Sequence, residues 1–276
     1  MFVQRKTINT NVSITGIGLH SGIYTTVELK PAPAGNGIAF VRTDLQGLRI
    51  PALQASTTAL DYATTVGKDD VQIGTVEHLL SSIMACGITD VDILIDAAGV
   101  RELDSEVRVL RLREPIEVSD GDKTIRIAPA NRLIIKYRID FDHPVIGRES
   151  FHFDFGHDSF LKKIAPARTF GFLRDVEKLR AAGLARGGSV ENAVVLDDRG
   201  VVNGPLRFKD EFVRHKILDL VGDLALIGRP IAGEITAYRA GHALHSRFVE
   251  KILQAAASQH DSRETIGARQ PLGTFA

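Results

Sequence analysis

A short strand-like pattern occurs twice in this chain, and it constrains the fold more than any other feature. Gly22-Ile-Tyr-Thr-Thr-Val-Glu-Leu-Lys-Pro-Ala32 resembles Gly121-Asp-Lys-Thr-Ile-Arg-Ile-Ala-Pro-Ala130. Both copies alternate apolar and polar residues, as half-buried strands do, and both end at Pro-Ala. Because such a pattern is common in hairpins, it indicates a duplication only if the surrounding elements recur as well.

The surrounding elements do recur in the same order. Each copy is followed by a strand-like run, a helix with metal-type residues and a further strand. In the two halves these are 37–44 and 133–140, then 75–86 and 210–227, then 91–95 and 233–238. We therefore predict an α+β fold of two related domains, each a β-sheet with helices packed at the inter-domain interface. The predicted domains are residues 1–108, shortened near 96–108, and residues 109–276.

The segment from Phe212 to Asp223 predicts a helix with metal-type side chains on one face. His215 and Asp219 are four residues apart, so their imidazole and carboxylate can converge on one ion. Asp223 lies one further turn along the same face. The alternative interpretation is an ordinary His–Asp pair on a helix surface.

A second cluster of this type is Thr75-Val-Glu-His78. Adjacent helix residues point about 100° apart, so His78 can bind a metal while Glu77 reaches a water on it. The alternative for Glu77 is an ordinary acidic residue in a first helical turn. Two His, one Asp and a free Glu are the components of a hydrolytic zinc site, which has three protein ligands, an open position and a base.

His242 lies just after the strand that is predicted to end at Tyr238, where catalytic side chains are common. A solvent-exposed histidine is the equal alternative, and the same two interpretations apply to His20 in its Gly-rich segment. The histidines that we assign to the surface or to loops are His143, His152, His157, His245 and His260.

Composition excludes several classes of function. The formal net charge of the 276 residues is zero, and without a dense basic stripe we expect no nucleic-acid partner. The single cysteine, Cys86, excludes an internal disulfide and a cysteine-based zinc site, and its apolar neighbours predict a buried thiol. Without a signal peptide or an apolar run long enough to span a bilayer, the sequence predicts a cytoplasmic protein with no transmembrane segment. Peripheral access to a lipid-bearing substrate stays open.

Five segments carry a resemblance to a known family. They are Gly16-Ile-Gly-Leu-His-Ser-Gly22, Thr75-Val-Glu-His-Leu-Leu80, Ala167-Arg-Thr-Phe-Gly-Phe172, Phe212-Val-Arg-His-Lys-Ile-Leu-Asp219 and Gly241-His-Ala-Leu244. In this order they closely resemble the UDP-3-O-acyl-N-acetylglucosamine deacetylases, the zinc amidases of lipid A synthesis. The resemblance covers nearly the whole chain, and it implies a two-domain α+β fold.

The resemblance also implies a role for each side chain in catalysis. The implied zinc ligands are His78, His215 and Asp219. Glu77 would be the general base, and His242 would be the general acid, oriented and kept charged by Asp223. Thr169 would donate a hydrogen bond to the oxyanion.

The implied partners are water and a UDP-linked acylated amino sugar. Lys216 and Phe170 would contact the UDP-sugar. Gly187, Gly188 and Ser189 would lie in an insert that shapes the passage for the acyl chain.

The chain departs from the family after its strand 91–95. The family continues with a Pro-Ile-Leu/Met-Asp-Gly-Ser-Ala-x-Pro-Phe motif and a helix, whereas here residues 96–105 lead almost directly into Val109. A helix-length piece is therefore missing, and we interpret Leu103-Asp-Ser105 as a remnant of the motif. A smaller departure is His245, where the family usually has Asn. Two alternatives stay open, a catalytically weak metal-binding homologue that acts by binding and a deacetylase of another N-acetyl sugar.

Overall fold

The structure is a computed structural model, and it describes residues 2–19, 24–60, 63–93, 100–176, 189 and 192–267. Its strands are β1 (Phe2–Ile8), β2 (Val12–Ile17), β3 (Tyr24–Pro31), β4 (Ile38–Arg42), β5 (Leu48–Pro51), β6 (Thr57–Ala59), β7 (Thr65–Lys68), β8 (Val71–Ile73), β9 (Val91–Ile93), β10 (Val100–Arg108), β11 (Leu110–Arg111), β12 (Ile116–Asp120), β13 (Lys123–Ala128), β14 (Leu133–Asp140), β15 (Arg148–Asp154), β16 (Thr169–Phe172), β17 (Ala193–Leu196) and β18 (Ile231–Tyr238). Its named helices are α1 (Glu77–Ala85), α2 (Phe160–Lys163), α3 (Glu211–Ala225) and α4 (His242–Gly267), and residues 173–176 are helical as well. Short 3-10 turns lie at Thr43–Leu45 and Gln54–Ser56.

Two large sheets share one topology. The strand order is β2-β3-β9-β4-β5 in the first sheet and β12-β13-β18-β14-β15 in the second. The central strand of each, β9 or β18, is antiparallel to the preceding hairpin strand and parallel to the strand on its other side. The predicted fold, an α+β arrangement of two related domains, is confirmed by this repeat of order and orientation.

Each sheet buries one face, as its alternating sequence predicts. In β14, Leu133, Ile135, Tyr137 and Ile139 are buried while the residues between them are more exposed. Successive side chains of a strand point to opposite faces, so this alternation directs one face to the core. The first sheet has its own core, which includes Ile8, Phe40, Ile50, Val66 and Leu80. The larger second core includes Ile125, Ile135, Phe153, Phe212 and Phe248.

Helices α1 and α3 pack against each other between the two cores. Nearly every residue of α3 is buried, and its last residue, Ala225, belongs to the first core. The helices cross at Gly222, where a Cβ atom would lie 2.7 Å from the Cα atom of Glu77 and would overlap its carbonyl group. Only glycine fits this approach, which places the start of α1 against the last turn of α3.

The chain passes from the first half to the second between β10, which pairs with β1, and β11, which pairs with β18. The domain division at Arg108 stays a prediction. The prediction of a buried thiol at Cys86 is wrong, because Cys86 follows the last turn of α1 and is exposed. Within the described ranges, none of the helices combines the length and the apolar character needed to cross a membrane.

Candidate metal centre

Three donor side chains converge where α1 meets α3. His78 comes from the first turn of α1, and His215 and Asp219 come from successive turns of α3. Asp219 Oδ1 lies 3.1 Å from His215 Nε2 and 3.4 Å from His78 Nε2. The donor atoms of the three residues all lie within 4.8 Å of one another, so one metal ion can reach all of them.

Asp219 Oδ1 is the feature that most favours a metal here. It is buried and has no hydrogen-bond partner among the described residues, although two imidazole nitrogens lie close to it. A buried carboxylate oxygen without a partner is unfavourable unless a cation or a donor compensates it. In the close cluster Asp223-His242-His245 both Nδ1 atoms already lie at hydrogen-bond distance from Asp223 Oδ2, and the cluster Glu77-Asp219-His242 has only one imidazole.

Hydrogen bonds from neighbouring residues orient His215 and Asp219. His215 Nδ1 lies 3.1 Å from the carbonyl oxygen of Ala167, so the ring donates its Nδ1 proton there and presents Nε2 as a free lone pair. Lys216 donates to the other carboxylate oxygen of Asp219 over 2.7 Å. Burial opposes ionisation of Asp219, but the imidazole of His215 and the ammonium group of Lys216 beside it outweigh burial and hold its pKa well below the usual value.

Glu77 adjoins the cluster without being one of these three donors. Its carboxylate is buried, accepts the backbone N–H of Thr64 at Oε2 over 2.9 Å, and has Oε1 3.6 Å from His78 Nε2. Burial raises the pKa of Glu77, and the nearby charge of His78 only partly offsets it. A carboxylate with a raised pKa beside the centre is suited to take a proton from water.

A second imidazole–carboxylate pair lies on the other side. His242, the first residue of α4, has Nδ1 2.8 Å from Asp223 Oδ2 and Nε2 4.0 Å from Asp219 Oδ2. Burial lowers the pKa of His242, but the charge and hydrogen bond of Asp223 outweigh it and raise the pKa to about 9. Burial likewise opposes ionisation of Asp223, whose pKa is nevertheless held at about 2 by its histidine partners. His242 is therefore cationic at neutral pH and is able to donate a proton.

Two residues at this site were missed in the sequence. His245, which we assigned to the surface, is fully buried and has Nδ1 2.8 Å from Asp223 Oδ2, so that assignment is wrong. The signal was available, because residues three apart on a helix share a face and His242 and His245 have this spacing. Thr64 hydrogen-bonds both Glu77 and Asp223, and no local pattern marks it.

The residues predicted to contact the substrate form two groups, one at the start of β16 and one at Ser189. Thr169 is half-buried at the start of β16, two residues after the Ala167 carbonyl that holds His215. Phe170 follows it, and its ring centroid is 5.9 Å from Lys216 Nζ. Ser189 is exposed, and its backbone N–H donates to the Asn192 side chain.

Gly187, Gly188 and His20 lie outside the described residues. Of the histidines assigned to the surface, His152 and His157 are exposed as predicted. His143 lies in the loop between β14 and β15, as the assignment allows, and it is buried there with Nε2 2.7 Å from the carbonyl oxygen of Asp197. For His260 the structure describes the helical backbone only.

Comparison with known proteins gives a consistent result. The family model described as UDP-3-O-acyl N-acetylglycosamine deacetylase matches residues 5–98 and 93–254. A protein of that name from Myxococcus xanthus is 47% identical, with 91% of this chain and 86% of the relative covered. A relative of the same name from Nitratiruptor is 42% identical, with 91% of both chains covered. One from Helicobacter pylori is 38% identical, with 99% of this chain and 98% of the relative covered.

The same comparisons bear on the shortened segment. The alignment with the Myxococcus xanthus protein spans 271 positions, but 91% of a 276-residue chain is about 251 residues, so about 20 positions have no counterpart here. The two segments of the family match also meet at residues 93–98. Both observations agree with a missing piece of helical length after β9.

Proposed function

This chain belongs to the family of UDP-3-O-acyl N-acetylglycosamine deacetylases, and we propose that it hydrolyses the N-acetyl group of UDP-3-O-acyl-N-acetylglucosamine in lipid A synthesis. The products would be acetate and UDP-3-O-acyl-glucosamine. The observation that carries the proposal is that the imidazoles of His78 and His215 converge on the unpartnered Oδ1 atom of Asp219. Glu77 lies on one side of this cluster and His242 on the other.

We propose zinc as the metal. Two imidazoles and one carboxylate form the three-ligand set of many catalytic zinc sites. Bonds of about 2.0–2.1 Å in tetrahedral geometry separate neighbouring ligand atoms by about 3.3–3.4 Å. Two of the separations observed, 3.1 Å for His215–Asp219 and 3.4 Å for His78–Asp219, agree with that value.

The chain's own residues divide the chemistry between them. Zinc, when bound, polarises the acetamide carbonyl and lowers the pKa of water. Glu77 takes the proton of the attacking water, and Thr169 donates to the developing oxyanion. The leaving amine is a poor leaving group, so His242 donates its Nε2 proton to the amine while Asp223 holds the resulting neutral ring in place.

We propose that Lys216 and Phe170 form the contact with the UDP-sugar. The Lys216 side chain is 21% exposed, and its ammonium group stays charged because Asp219 outweighs the effect of burial and raises its pKa. A cation beside an aromatic ring suits a diphosphate and the face of a sugar or base. Ser189, together with Gly187 and Gly188, stays a prediction for the acyl passage, and the cytoplasmic location also stays a prediction.

The shortened first half motivates a second candidate, a weakly active homologue that acts by binding. Both hypotheses require the same metal centre, and they differ in the expected rate of deacetylation. A third candidate, deacetylation of another N-acetyl sugar, differs only in the preferred substrate.

The decisive experiment combines metal analysis with turnover. Purified wild-type protein should carry about one zinc per chain and release acetate from the acylated UDP-sugar. His78→Ala, His215→Ala and Asp219→Ala should each lower both zinc content and rate sharply. His152→Ala, which removes an exposed histidine of β15, is the matched control and should change neither. Full zinc retention in all three ligand variants would reject the site.

The roles of base and acid have a separate signature. Glu77→Ala should keep zinc and lose activity by at least about a hundredfold, because the base is not a ligand. In the wild type, kcat/KM should rise as Glu77 ionises, above the ordinary pKa of 4.5, and fall as His242 loses its proton near pH 9. A pH profile of Glu77→Ala that keeps the acidic limb would exclude this base.

A further inference from the structure

Two of the three groups that hold the Asp223 carboxylate, Thr64 and His245, have no role in the proposed chemistry. Thr64 Oγ1 donates to Asp223 Oδ1 over 2.5 Å, and no other donor in the described ranges reaches that oxygen. His242 and His245 each have Nδ1 2.8 Å from Oδ2. One oxygen is therefore fixed by a hydroxyl, and the other is shared by two imidazoles.

Thr64 is itself fixed at the point where three helices meet. It is fully buried, its backbone N–H donates to Glu77 Oε2 over 2.9 Å, and its carbonyl accepts the Val76 N–H over 3.1 Å. Its hydroxyl oxygen also lies 3.2 Å from His242 Nδ1. One residue thus contacts the start of α1, the last turn of α3 and the first residue of α4.

His245 is anchored on its far side. Its Nε2 lies 3.2 Å from the Tyr137 hydroxyl, which donates to the carbonyl oxygen of Ala240 over 2.8 Å. Ala240 precedes the first residue of α4 by two positions. Both His245 and Tyr137 are buried, so the chain Ala240–Tyr137–His245–Asp223 is shielded from water, which would otherwise compete for these hydrogen bonds.

We propose that Thr64 and His245 are positioning residues that hold Asp223 at both carboxylate oxygens and thereby orient the His242 ring. The terminal torsion of an aspartate is broad, so a carboxylate bonded at one oxygen only would be free to rotate. With both oxygens held, Oδ2 fixes His242 Nδ1 and directs Nε2 towards the metal centre, 4.0 Å from Asp219 Oδ2. This inference rests on the proposed function, in which His242 is the proton donor.

Paired substitutions separate positioning from packing. Thr64→Val keeps the side-chain shape and both backbone hydrogen bonds but removes the hydroxyl, whereas Thr64→Ser keeps the hydroxyl. We expect Thr64→Val to lower kcat by about ten- to a hundredfold, the range for a lost hydrogen bond to a charged group, with KM and zinc content unchanged. Thr64→Ser should stay within about threefold of wild type.

The same logic applies at Oδ2. His245→Leu removes the donor and should lower kcat by about tenfold, and His245→Asn, which keeps an N–H donor, should recover most of it. A Thr64→Val variant within threefold of wild type, or a Thr64→Ser variant as slow as Thr64→Val, would overturn the proposal. Loss of zinc in Thr64→Val would also overturn it, because the effect would then lie in the ligands.

A readout independent of turnover distinguishes this inference from the proposed function. In protein labelled with ¹⁵N-histidine, the Nδ1–H resonance of His242 is identified by its loss in His242→Ala. It should shift in Thr64→Val and stay in place in Thr64→Ser. If wild type fails to release acetate, the proposed function fails, but this spectrum still decides whether Thr64 orients His242. An unchanged resonance in a folded Thr64→Val variant would reject the positioning role, and the His245 pair provides the same comparison if that variant does not fold.

Discussion

The sheet β2-β3-β9-β4-β5 and the sheet β12-β13-β18-β14-β15 have the same order and orientation, but their central strands lead to different elements. After β18 comes α4, a helix of 26 residues that packs on β12 and β13. After β9 only residues 94–99 precede β10, which is too short a connection for such a helix. Among the described residues, the first sheet therefore has no counterpart of α4 after its central strand.

The consequence is visible at equivalent positions. Ile125 of β13 is fully buried, whereas Val27, which matches it in the sequence repeat, is only partly buried. Ile14, the partner of Val27 in β2, is 48% exposed. Because these apolar side chains stay in contact with water, β2 and β3 contribute less hydrophobic stabilisation to the fold than their counterparts in the second sheet.

The halves also contribute unequally to the site. The second half provides two of the three proposed ligands, His215 and Asp219, together with the proposed acid His242. The first half provides the third proposed ligand, His78, and the proposed base, Glu77. The proposed activity therefore depends on how firmly the less covered half is held against the other.

The largest combined effect on stability and activity is expected at the contact between the halves. Gly222→Ala would place a Cβ atom 2.7 Å from the Cα atom of Glu77, and the helices would have to separate. We expect a loss of about 3 kcal/mol in the free energy of unfolding, measured by urea titration, and a large loss of activity because Glu77 moves. The control is Gly16→Ala in β2, which meets no atom within 4 Å. Equal stability of the two variants would show that α1 and α3 can separate at Gly222 without a measurable cost in stability.

The next effect compares the two cores directly. Ile125→Ala should cost about 2–5 kcal/mol, because it opens a cavity beneath α4. Val27→Ala, at the equivalent place in the first sheet, should cost about 1 kcal/mol or less, because this side chain is already in contact with water. Urea unfolding of both variants measures the contrast. Similar costs would mean that the first sheet is covered as well as the second.

Hydrogen exchange tests the same contrast without mutation. β2 and β12 are both edge strands of matching sheets, so they form a natural pair. We expect backbone amides of β2 to exchange at least about tenfold faster than those of β12, because opening the first sheet exposes less buried surface. Mass spectrometry of peptides covering each strand measures the rates. Equal protection would remove the main support for a weak homologue.

Much of this arrangement could be predicted from sequence. Period-two alternation placed β3, β13 and β14 within about two residues of their observed bounds. The four-residue spacing of His215 and Asp219 indicated a shared helix face, which the structure shows. These features depend on neighbours in the sequence, where periodicity is informative.

The remaining features depend on contacts between distant residues. Thr64 lies 13 residues before Glu77 and 159 before Asp223, so only the packed structure brings them together. Gly222 also gave no signal, since a glycine within a helix marks a crossing only when the partner helix is known. His245 is a different case, because its three-residue spacing from His242 is a local signal that becomes informative only when a helix begins at His242.

The smallest expected effect concerns how the two central helices begin. Among the described residues, α3 has a carboxylate from its own sheet at its first turn, since Glu149 of β15 accepts the Val213 N–H over 3.0 Å, and α1 has no such group. Burial raises the pKa of Glu149 from 4.5 to about 7. In the unfolded chain this carboxyl ionises near pH 4.5, so the folded state binds more protons between pH 4.5 and 7, and stability falls as the pH rises through that range. Glu149→Gln should therefore be more stable than wild type at pH 8, by up to about 1 kcal/mol after solvent screening of a half-exposed group, and the difference should vanish near pH 4.5.

Urea unfolding of Glu149→Gln and wild type at both pH values measures this difference in stability. Glu114→Gln, at an exposed position, is the control. A Glu149→Gln variant that is less stable at pH 8 would show that the ionised carboxylate stabilises the start of α3 more than its burial destabilises it.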